Sequence, residues 1–265
     1  MTNLPFSLDE YLTRQSRLHS QLPEKTIVII PTNPYHTRSN DTNYPFRGNS
    51  YMLYVAGWYK PNAIFVSSNV TGHWKTSLFV EPNDIISEVW EGRRIGIENA
   101  KLSWPIDETY SILDMDKIIG NKLKEHTNVY HIQGLNHELD KLVMKSLTDK
   151  SRSRNLKGVG PRNLSDPSYI LDEMRLIKSS EEIVVMKKSA KLASEAHIKA
   201  IAESNSNMGE WEIQSIIEGH FISRRSEISY GSIVGGGANG TILHYNSNNE
   251  IIKGGDLVLV DAGCE

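Results

Sequence analysis

The stretch Gly255-Asp-Leu-Val-Leu-Val-Asp-Ala-Gly-Cys-Glu265 carries a short apolar run that ends at an acid, Asp261. Residues 257–260 lack polar alternation, which predicts a strand that is buried on both faces. A carboxylate at the mouth of such a strand must be hydrogen-bonded, paired with a cation or bound to a metal, because an unpaired buried charge is costly. An aspartate that only caps the strand end in a turn is the alternative, and the spacing alone does not separate the two.

A glycine-rich stretch, Tyr230-Gly-Ser-Ile-Val-Gly-Gly-Gly-Ala-Asn-Gly-Thr-Ile-Leu-His-Tyr245, precedes this run. Gly235, Gly237 and Gly240 fit the pattern Gly-x-Gly-x-x-Gly, which binds a dinucleotide only where the third glycine opens a helix. The residues after Gly240 are instead rich in β-formers, so we predict a strand at 241–245 and reject nucleotide binding. His244 lies in this predicted strand, where a buried, hydrogen-bonded histidine and a catalytic one are both open.

The first half of the chain alternates between strand and helix patterns. Ser7 and Glu10 form a capping-box pattern that predicts a helix over residues 8–22, and residues 26–30 predict a buried strand. Further strands are predicted at 63–67, 78–80, 94–97 and 129–132, and helices at 114–126 and 136–148. This order predicts a three-layer α/β or α+β domain with a mixed sheet over residues 1–165.

The second half begins after a basic stretch, residues 150–162, which is interpreted as a solvated linker, with an anion-binding patch as the alternative. Ser179 and Glu182 form a second capping-box pattern ahead of a long amphipathic helix, and residues 208–224 predict another. Strands are expected at 229–234, 241–245 and 257–260. A second domain over residues 166–265 follows.

Composition excludes several classes of protein. Among the 265 residues, 29 Lys and Arg stand against 32 Asp and Glu, which argues against a nucleic-acid partner held by bulk charge. No apolar stretch is long enough for a membrane span, and the first 22 residues lack the apolar segment of a secretory signal. The single cysteine, Cys264, excludes an intramolecular disulfide and a cysteine-based zinc site. These features predict a cytoplasmic protein with no membrane partner.

Taken together, residues 230–245 and 255–265 resemble the Xaa-Pro aminopeptidase (aminopeptidase P) family of pita-bread metallopeptidases. Arg38-Ser-Asn-Asp-Thr-Asn-Tyr-Pro-Phe-Arg-Gly-Asn-Ser50 and Glu88-Val-Trp-Glu-Gly-Arg-Arg94 resemble its N-terminal domain, and Leu171-Asp-Glu-Met-Arg-Leu-Ile-Lys178 resembles the entry to its catalytic domain. The resemblance implies a creatinase/aminopeptidase P-type N-terminal α/β domain followed by the first part of an α+β pita-bread domain.

The family's chemistry is removal of an N-terminal residue that precedes proline, with two divalent ions, usually manganese, that share an attacking hydroxide. By resemblance, Asp261 matches the first metal-binding aspartate, and His244 matches a histidine that contacts substrate and aids catalysis without binding metal. Asp41 and Trp90 match residues that reach into a neighbour's active site in tetrameric members. The resemblance therefore implies a homo-oligomer and a peptide substrate with proline at its second position.

The second aspartate, the metal-binding histidine and the two glutamates expected by resemblance do not occur in the 265 residues. One carboxylate does not hold a divalent ion tightly, so the chain as printed is expected to be inactive and to leave an apolar sheet face uncovered. A fragment of a longer product and a shortened non-catalytic binding or assembly module are the two explanations. A prolidase-like dipeptidase is a further alternative, since it shares the metal chemistry.

Overall fold

The computed structural model describes residues 4–152 and 160–265, with the side chains of 149–152 left out. The chain divides into two compact units, Met1–Ile177 and Lys178–Glu265, each with its own hydrophobic core. The sequence predicts a domain boundary near residue 165, whereas the compact units divide after Ile177. The difference arises because Ile170 and Met174, which follow the predicted boundary, are buried in the core of unit 1.

Unit 1 is built from seven helices and eight strands among the described residues. The helices are α1 (Leu8–His19), α2 (Ser50–Ala56), α3 (Ile85–Glu91), α4 (Gly96–Ser103), α5 (Met115–Glu125), α6 (His137–Arg152) and α7 (Ser168–Leu176). The strands are β1 (Thr26–Pro31), β2 (Thr37–Ser39), β3 (Thr42–Asn43), β4 (Ile64–Asn69), β5 (Trp74–Val80), β6 (Glu108–Ser111), β7 (Asn128–His131) and β8 (Asn163–Ser165). Sequence patterns did not predict α2, α3, α4 or α7, nor the short strands β2, β3, β6 and β8.

A six-stranded sheet organises unit 1 in the order β6-β5-β4-β1-β7-β8. Strand β4 is antiparallel to both β1 and β5, while the β1–β7, β7–β8 and β5–β6 pairs are parallel. Alternate residues of β1 enter different cores: Val28 and Ile30 pack with α1, α2 and α7, and Ile27 and Ile29 pack with α5 and α6. The predicted three-layer arrangement with a mixed sheet is confirmed.

The strand predicted at residues 94–97 is wrong, because the chain turns there and begins α4. Gly96 has a φ of +76°, which is outside the extended region, and a Cβ at this position would overlap the side chain of Asn83. The apolar residues Ile95 and Ile97 that suggested a strand pack instead against the core of unit 1.

Unit 2 contains α8 (Ser180–Glu203), α9 (Glu210–Ser223), β9 (Ile233–Gly236) and β10 (Val258–Asp261). The capping box at the start of α8 is confirmed: the Ser179 hydroxyl accepts from the Glu182 amide, and the Glu182 carboxylate accepts from the Ser179 amide. Both helices pack on the antiparallel β9–β10 pair through a small core that includes Phe221.

Two predictions for unit 2 are wrong. Residues 241–245 are not a strand: a 3₁₀ turn spans Gly237–Thr241 and a further turn contains His244. The chain folds back because Gly235 lies against the backbone of Asn239, where a side chain would not fit. Strand β10 forms, but it is not buried on both faces, because Leu259 is 43% exposed. Among the described residues, β9 is its one neighbouring strand.

Two further predictions concern the basic stretch and the possibility of a membrane span. The basic stretch at residues 150–162 lies largely outside the described residues. Among the helices of the described ranges, none is both long and apolar enough to cross a membrane.

Candidate functional site

Asp261 is the last residue of β10 and lies opposite Ile233 on β9. Its side chain is exposed, and its Oδ1 accepts a hydrogen bond from the hydroxyl of Tyr230. This hydrogen bond, together with partial burial, raises the pKa of Tyr230, so the phenol stays protonated as the donor. Among the described residues this is the one hydrogen bond to the carboxylate, which leaves its other oxygen available for a further partner.

The glycine-rich loop after β9 is organised by one buried carboxylate, Glu210, at the start of α9. Its Oε1 accepts from the Gly236 amide at 2.8 Å and from Asn239 Nδ2 at 3.1 Å. Its Oε2 accepts from the Tyr245 hydroxyl at 2.7 Å and from the Glu250 amide at 3.0 Å. The four bonds join both ends of the loop to one helix.

Glu210 remains ionised despite its burial. Burial alone would raise the pKa of this carboxyl, but the hydrogen bonds from Gly236, Asn239, Tyr245 and Glu250 lower it below its ordinary value. Sequence reasoning missed Glu210 because an acid in the first turn of a helix is common wherever the helix dipole favours it.

His244 is exposed in the turn at the end of this loop, next to the Tyr245 that Glu210 holds. The interpretation of His244 as a buried strand residue is therefore wrong. Asp261 pairs with the first residue of β9, whereas the loop of His244 leaves from its last residue, Gly236. The loop returns toward β10, because Gly240 lies against Leu259, but in the described ranges no hydrogen bond or ion pair joins His244 to Asp261.

Asp41 and Trp90 lie in unit 1, on separate surface features. Asp41 is exposed in the tight turn between β2 and β3, directly after Asn40, which has a φ of +49°. Trp90 is 85% exposed near the end of α3, so the alternative that it is a core aromatic is wrong. Ile86 and Val89 on the same short helix are also largely exposed.

The residues of unit 2 do not by themselves fit a pair of divalent cations. Within residues 4–152 and 160–265, no group of three or more His, Cys, Asp or Glu side chains is placed to hold a metal ion. Asp261 offers a single carboxylate, and both oxygens of the buried Glu210 already accept hydrogen bonds from the loop. Hard divalent cations need several preorganised oxygen ligands, and the residues that the structure describes do not form such a group.

Comparison with known proteins matches both parts of the chain. The family described as aminopeptidase P, N-terminal domain, matches residues 11–130. Metallopeptidase family M24 matches residues 184–265, which include the glycine-rich loop, His244 and Asp261.

Similarity to individual proteins, which extends over nearly all of this chain, agrees with these two matches. The Xaa-Pro aminopeptidase of Haemophilus influenzae is 35% identical over 100% of this chain and 59% of its own length. Among solved structures, proline aminopeptidase P II from Yersinia pestis has a TM-score of 0.92 at 33% identity, and zinc-substituted Escherichia coli aminopeptidase P in complex with product also has 0.92. Each covers 98% of this chain and is itself covered to 60%, so the chain spans about three fifths of these relatives. The chain therefore combines an aminopeptidase P N-terminal domain with the start of an M24 metallopeptidase domain, in the arrangement of the aminopeptidase P structures that it matches.

Proposed function

We propose that the chain is part of an Xaa-Pro aminopeptidase, which releases the first residue of a peptide whose second residue is proline. The observation that carries the proposal is the match to Xaa-Pro aminopeptidases along the whole of this chain. The chain alone is expected to be inactive, because its residues supply one of the carboxylates that a metal pair needs. A cytoplasmic setting is part of the proposal, supported by the single, buried, unpaired Cys264.

Two residues of unit 2 receive roles at the site. Asp261 is proposed as one ligand of two divalent cations, with manganese as the proposed metal, and its free oxygen supports this role. His244 is proposed to contact the substrate near the reacting bond, which its exposure on an anchored loop supports. The remaining ligands are proposed to lie outside residues 1–265.

Sequencing the gene beyond codon 265 tests the proposal first. An in-frame Asp, His and two Glu supports it, and the extended protein is then assayed with manganese on an Xaa-Pro-Xaa tripeptide. Asp261→Asn is expected to lower kcat by more than about 100-fold, since it removes a metal ligand. Asp256→Asn, an exposed acid at the start of the same segment, is the matched control and is expected to retain activity.

Absence of metal-dependent release of the first residue would refute the aminopeptidase. Turnover of Xaa-Pro dipeptides in preference to tripeptides would instead favour the prolidase-like alternative.

The exposed face of α3 favours a second candidate, assembly of copies of the chain. Ile85, Ile86, Val89 and Trp90 form a contiguous apolar surface on this helix, and each is more than three-quarters exposed. Contiguous apolar surface of this kind marks contact sites in soluble proteins. We propose a homo-oligomer in which Trp90 and Asp41 meet a neighbouring copy, consistent with a binding or assembly role that needs no metal.

Light scattering coupled to size-exclusion chromatography tests the assembly. Trp90→Ala is expected to shift the chain toward the monomer, whereas Leu113→Ala, an equally exposed apolar residue elsewhere on unit 1, is expected to leave the mass unchanged. A monomeric parent chain, or an oligomer that is indifferent to Trp90→Ala, would exclude this contact.

A further inference from the structure

His244, which is proposed to contact substrate, depends on its neighbours for its position. Among the described residues its ring has no hydrogen bond or ion pair, and Leu243 before it is 88% exposed. These two residues form the middle of a turn, which the Tyr245 amide closes by donating to the Ile242 carbonyl at 3.3 Å. The place of the His244 ring is therefore set by the contacts at the two ends of this turn.

Tyr245 fixes the far end of the turn through a buried carboxylate. Its hydroxyl donates to Glu210 Oε2 at 2.7 Å, and Glu210 is fully buried at the start of α9. Asn239, which precedes the turn, donates from Nδ2 to Glu210 Oε1 at 3.1 Å and to the Tyr245 hydroxyl at 3.0 Å. Hydrogen bonds to an ionised acceptor are stronger than those between neutral groups. One carboxylate thus joins residues on both sides of His244.

A second buried polar side chain, Asn248, holds the chain that follows the turn. It is 2% exposed and has a φ of +45°, a conformation in which asparagine is enriched. Its Nδ2 donates to Gln214 Oε1 at 2.9 Å and to the Ser232 carbonyl at 2.8 Å. Its Oδ1 accepts from the Val234 amide at 2.9 Å. A shift of the loop would therefore leave several buried polar groups without partners, which is costly.

The two anchors place the loop relative to the strand that pairs with Asp261. Glu210 and Gln214 are four residues apart on α9, so they lie on the same face of the helix. Val234 follows Ile233, the residue of β9 that lies opposite Asp261. The loop and the Asp261 carboxylate therefore both depend on β9 for their positions.

We propose that Tyr245 is a positioning residue, which holds His244 in place for the substrate through its hydrogen bond to Glu210. The inference rests on the function proposed above and assigns Tyr245 no contact with the substrate. A side chain that acts on a substrate needs a fixed geometry, and a misplacement of about 1 Å can lower a rate by about 100-fold. Tyr245 suits this task, because its hydroxyl reaches the buried Glu210 while its backbone is directly bonded to His244.

Measurement of ¹⁵N relaxation by NMR on the 265-residue chain tests the positioning without any activity. Tyr245→Phe removes the hydroxyl and keeps the ring, so unit 2 is expected to remain folded. The order parameter of the His244 amide should fall from about 0.85, typical of rigid backbone, towards about 0.6, typical of flexible segments. Val234 on β9 should keep its value. Tyr110→Phe, which removes a phenol–carboxylate bond of 2.9 Å in unit 1, is the matched control and should leave His244 unchanged.

Two results of this measurement would overturn the inference. The first is an unchanged order parameter at His244 in Tyr245→Phe. The second is an equal fall at His244 and at Val234, since Tyr245 would then only stabilise unit 2 as a whole.

The extended protein provides the kinetic test. Tyr245→Phe should lower kcat for an Xaa-Pro-Xaa tripeptide by about tenfold, with a smaller change in KM and with the same content of bound metal. In a His244→Ala background the same substitution should change kcat by less than about twofold, because the side chain that Tyr245 positions is gone. Equal losses in the two backgrounds would contradict a role through His244. An extended parent that releases no first residue would refute the aminopeptidase instead, and the relaxation of the 265-residue chain would still decide whether Tyr245 positions His244.

Discussion

Strands β1 and β10 have similar apolar sequences and very different surroundings. All six residues of β1 are buried, whereas Val258, Leu259 and Asp261 of β10 are exposed. Strand β1 lies between β4 and β7, with helices on both faces of the sheet, while the described residues pair β10 with β9 alone. An apolar, β-branched run therefore predicts that a strand forms, but the burial of that strand depends on neighbours that the run does not specify.

The largest effect is expected in the covered sheet of unit 1. Phe65 on β4 is fully buried in the core, so Phe65→Ala should lower the free energy of unfolding of unit 1 by about 3–5 kcal/mol. Leu113→Ala, at a residue 81% exposed, is the control and should change it by less than about 0.5 kcal/mol. Urea unfolding combined with hydrogen exchange follows each unit separately. A small effect of Phe65→Ala would mean that the sheet is not packed on both faces.

Sequence patterns therefore succeeded where local signals decide the structure. The capping box at Ser179 needs only residues three positions apart, and the strand at β1 needs only one apolar run. The prediction failed at Gly96 and in the turn of His244, because close approach to Asn83 and to the backbone of Asn239 decides those conformations. Gly96 and Asn83 are far apart in sequence, and Gly235 and Asn239 meet in a turn rather than in a regular helix or strand. Hydrophobic periodicity therefore does not predict either contact.

The next largest effect is expected at the carboxylate that organises unit 2. Glu210→Gln replaces one acceptor oxygen by an amide donor, which then faces a donor such as the Gly236 or Glu250 amide. We expect a loss of about 2–3 kcal/mol in the stability of unit 2, with faster hydrogen exchange at these two amides. Glu203→Gln, at an exposed acid in the last turn of α8, is the control. Unchanged exchange at both amides would show that the loop does not depend on Glu210.

The candidate site was only partly accessible to sequence reasoning for a related reason. Asp261 follows an apolar run and is visible as a motif, but Glu210 acts through four hydrogen bonds to residues 26 to 40 positions away. A single acid at the start of a helix has the same local pattern whether it faces solvent or a loop. Trp90 shows the converse, since an aromatic residue near a helix end gives no indication that its helix face is exposed.

The two units are expected to lose stability over different acidic pH ranges. His19 stacks on Trp74 and contacts the Ser67 hydroxyl, and burial lowers its pKa to about 4, although Asp107 acts in the opposite direction. A lowered histidine pKa stabilises the fold above the ordinary value of 6.5, and this contribution is lost as pH falls from 6.5 towards 4. We expect unit 1 to lose about 2 kcal/mol over this range, after allowing for partial exposure of the ring.

Unit 2 should respond at lower pH, because the pKa of Glu210 lies below its ordinary value of 4.5 and its contribution is lost only as pH falls through that lowered pKa. Urea unfolding at several pH values, with hydrogen exchange to assign each unit, measures both ranges. His19→Gln should reduce the upper dependence and leave the part that comes from His126, whose pKa is also lowered by burial, whereas His73→Gln, at an exposed histidine, should retain all of it. If both units lost stability over the same range, these two groups would not be its source.

The smallest effect on stability is expected at the exposed strand itself. Leu257 precedes β10 and is 88% exposed, so Leu257→Ser should change the free energy of unfolding of unit 2 by less than about 0.5 kcal/mol. Self-association should nevertheless fall, because an apolar strand with an unpaired edge is a site for edge-to-edge pairing. Static light scattering over a concentration series measures this, with Ile233→Ser on the buried partner strand as the destabilising comparison. A loss of more than about 1 kcal/mol from Leu257→Ser would mean that this residue is buried in solution by contact with another copy. The exposure of β10 relative to β1 would then not hold in the assembled protein.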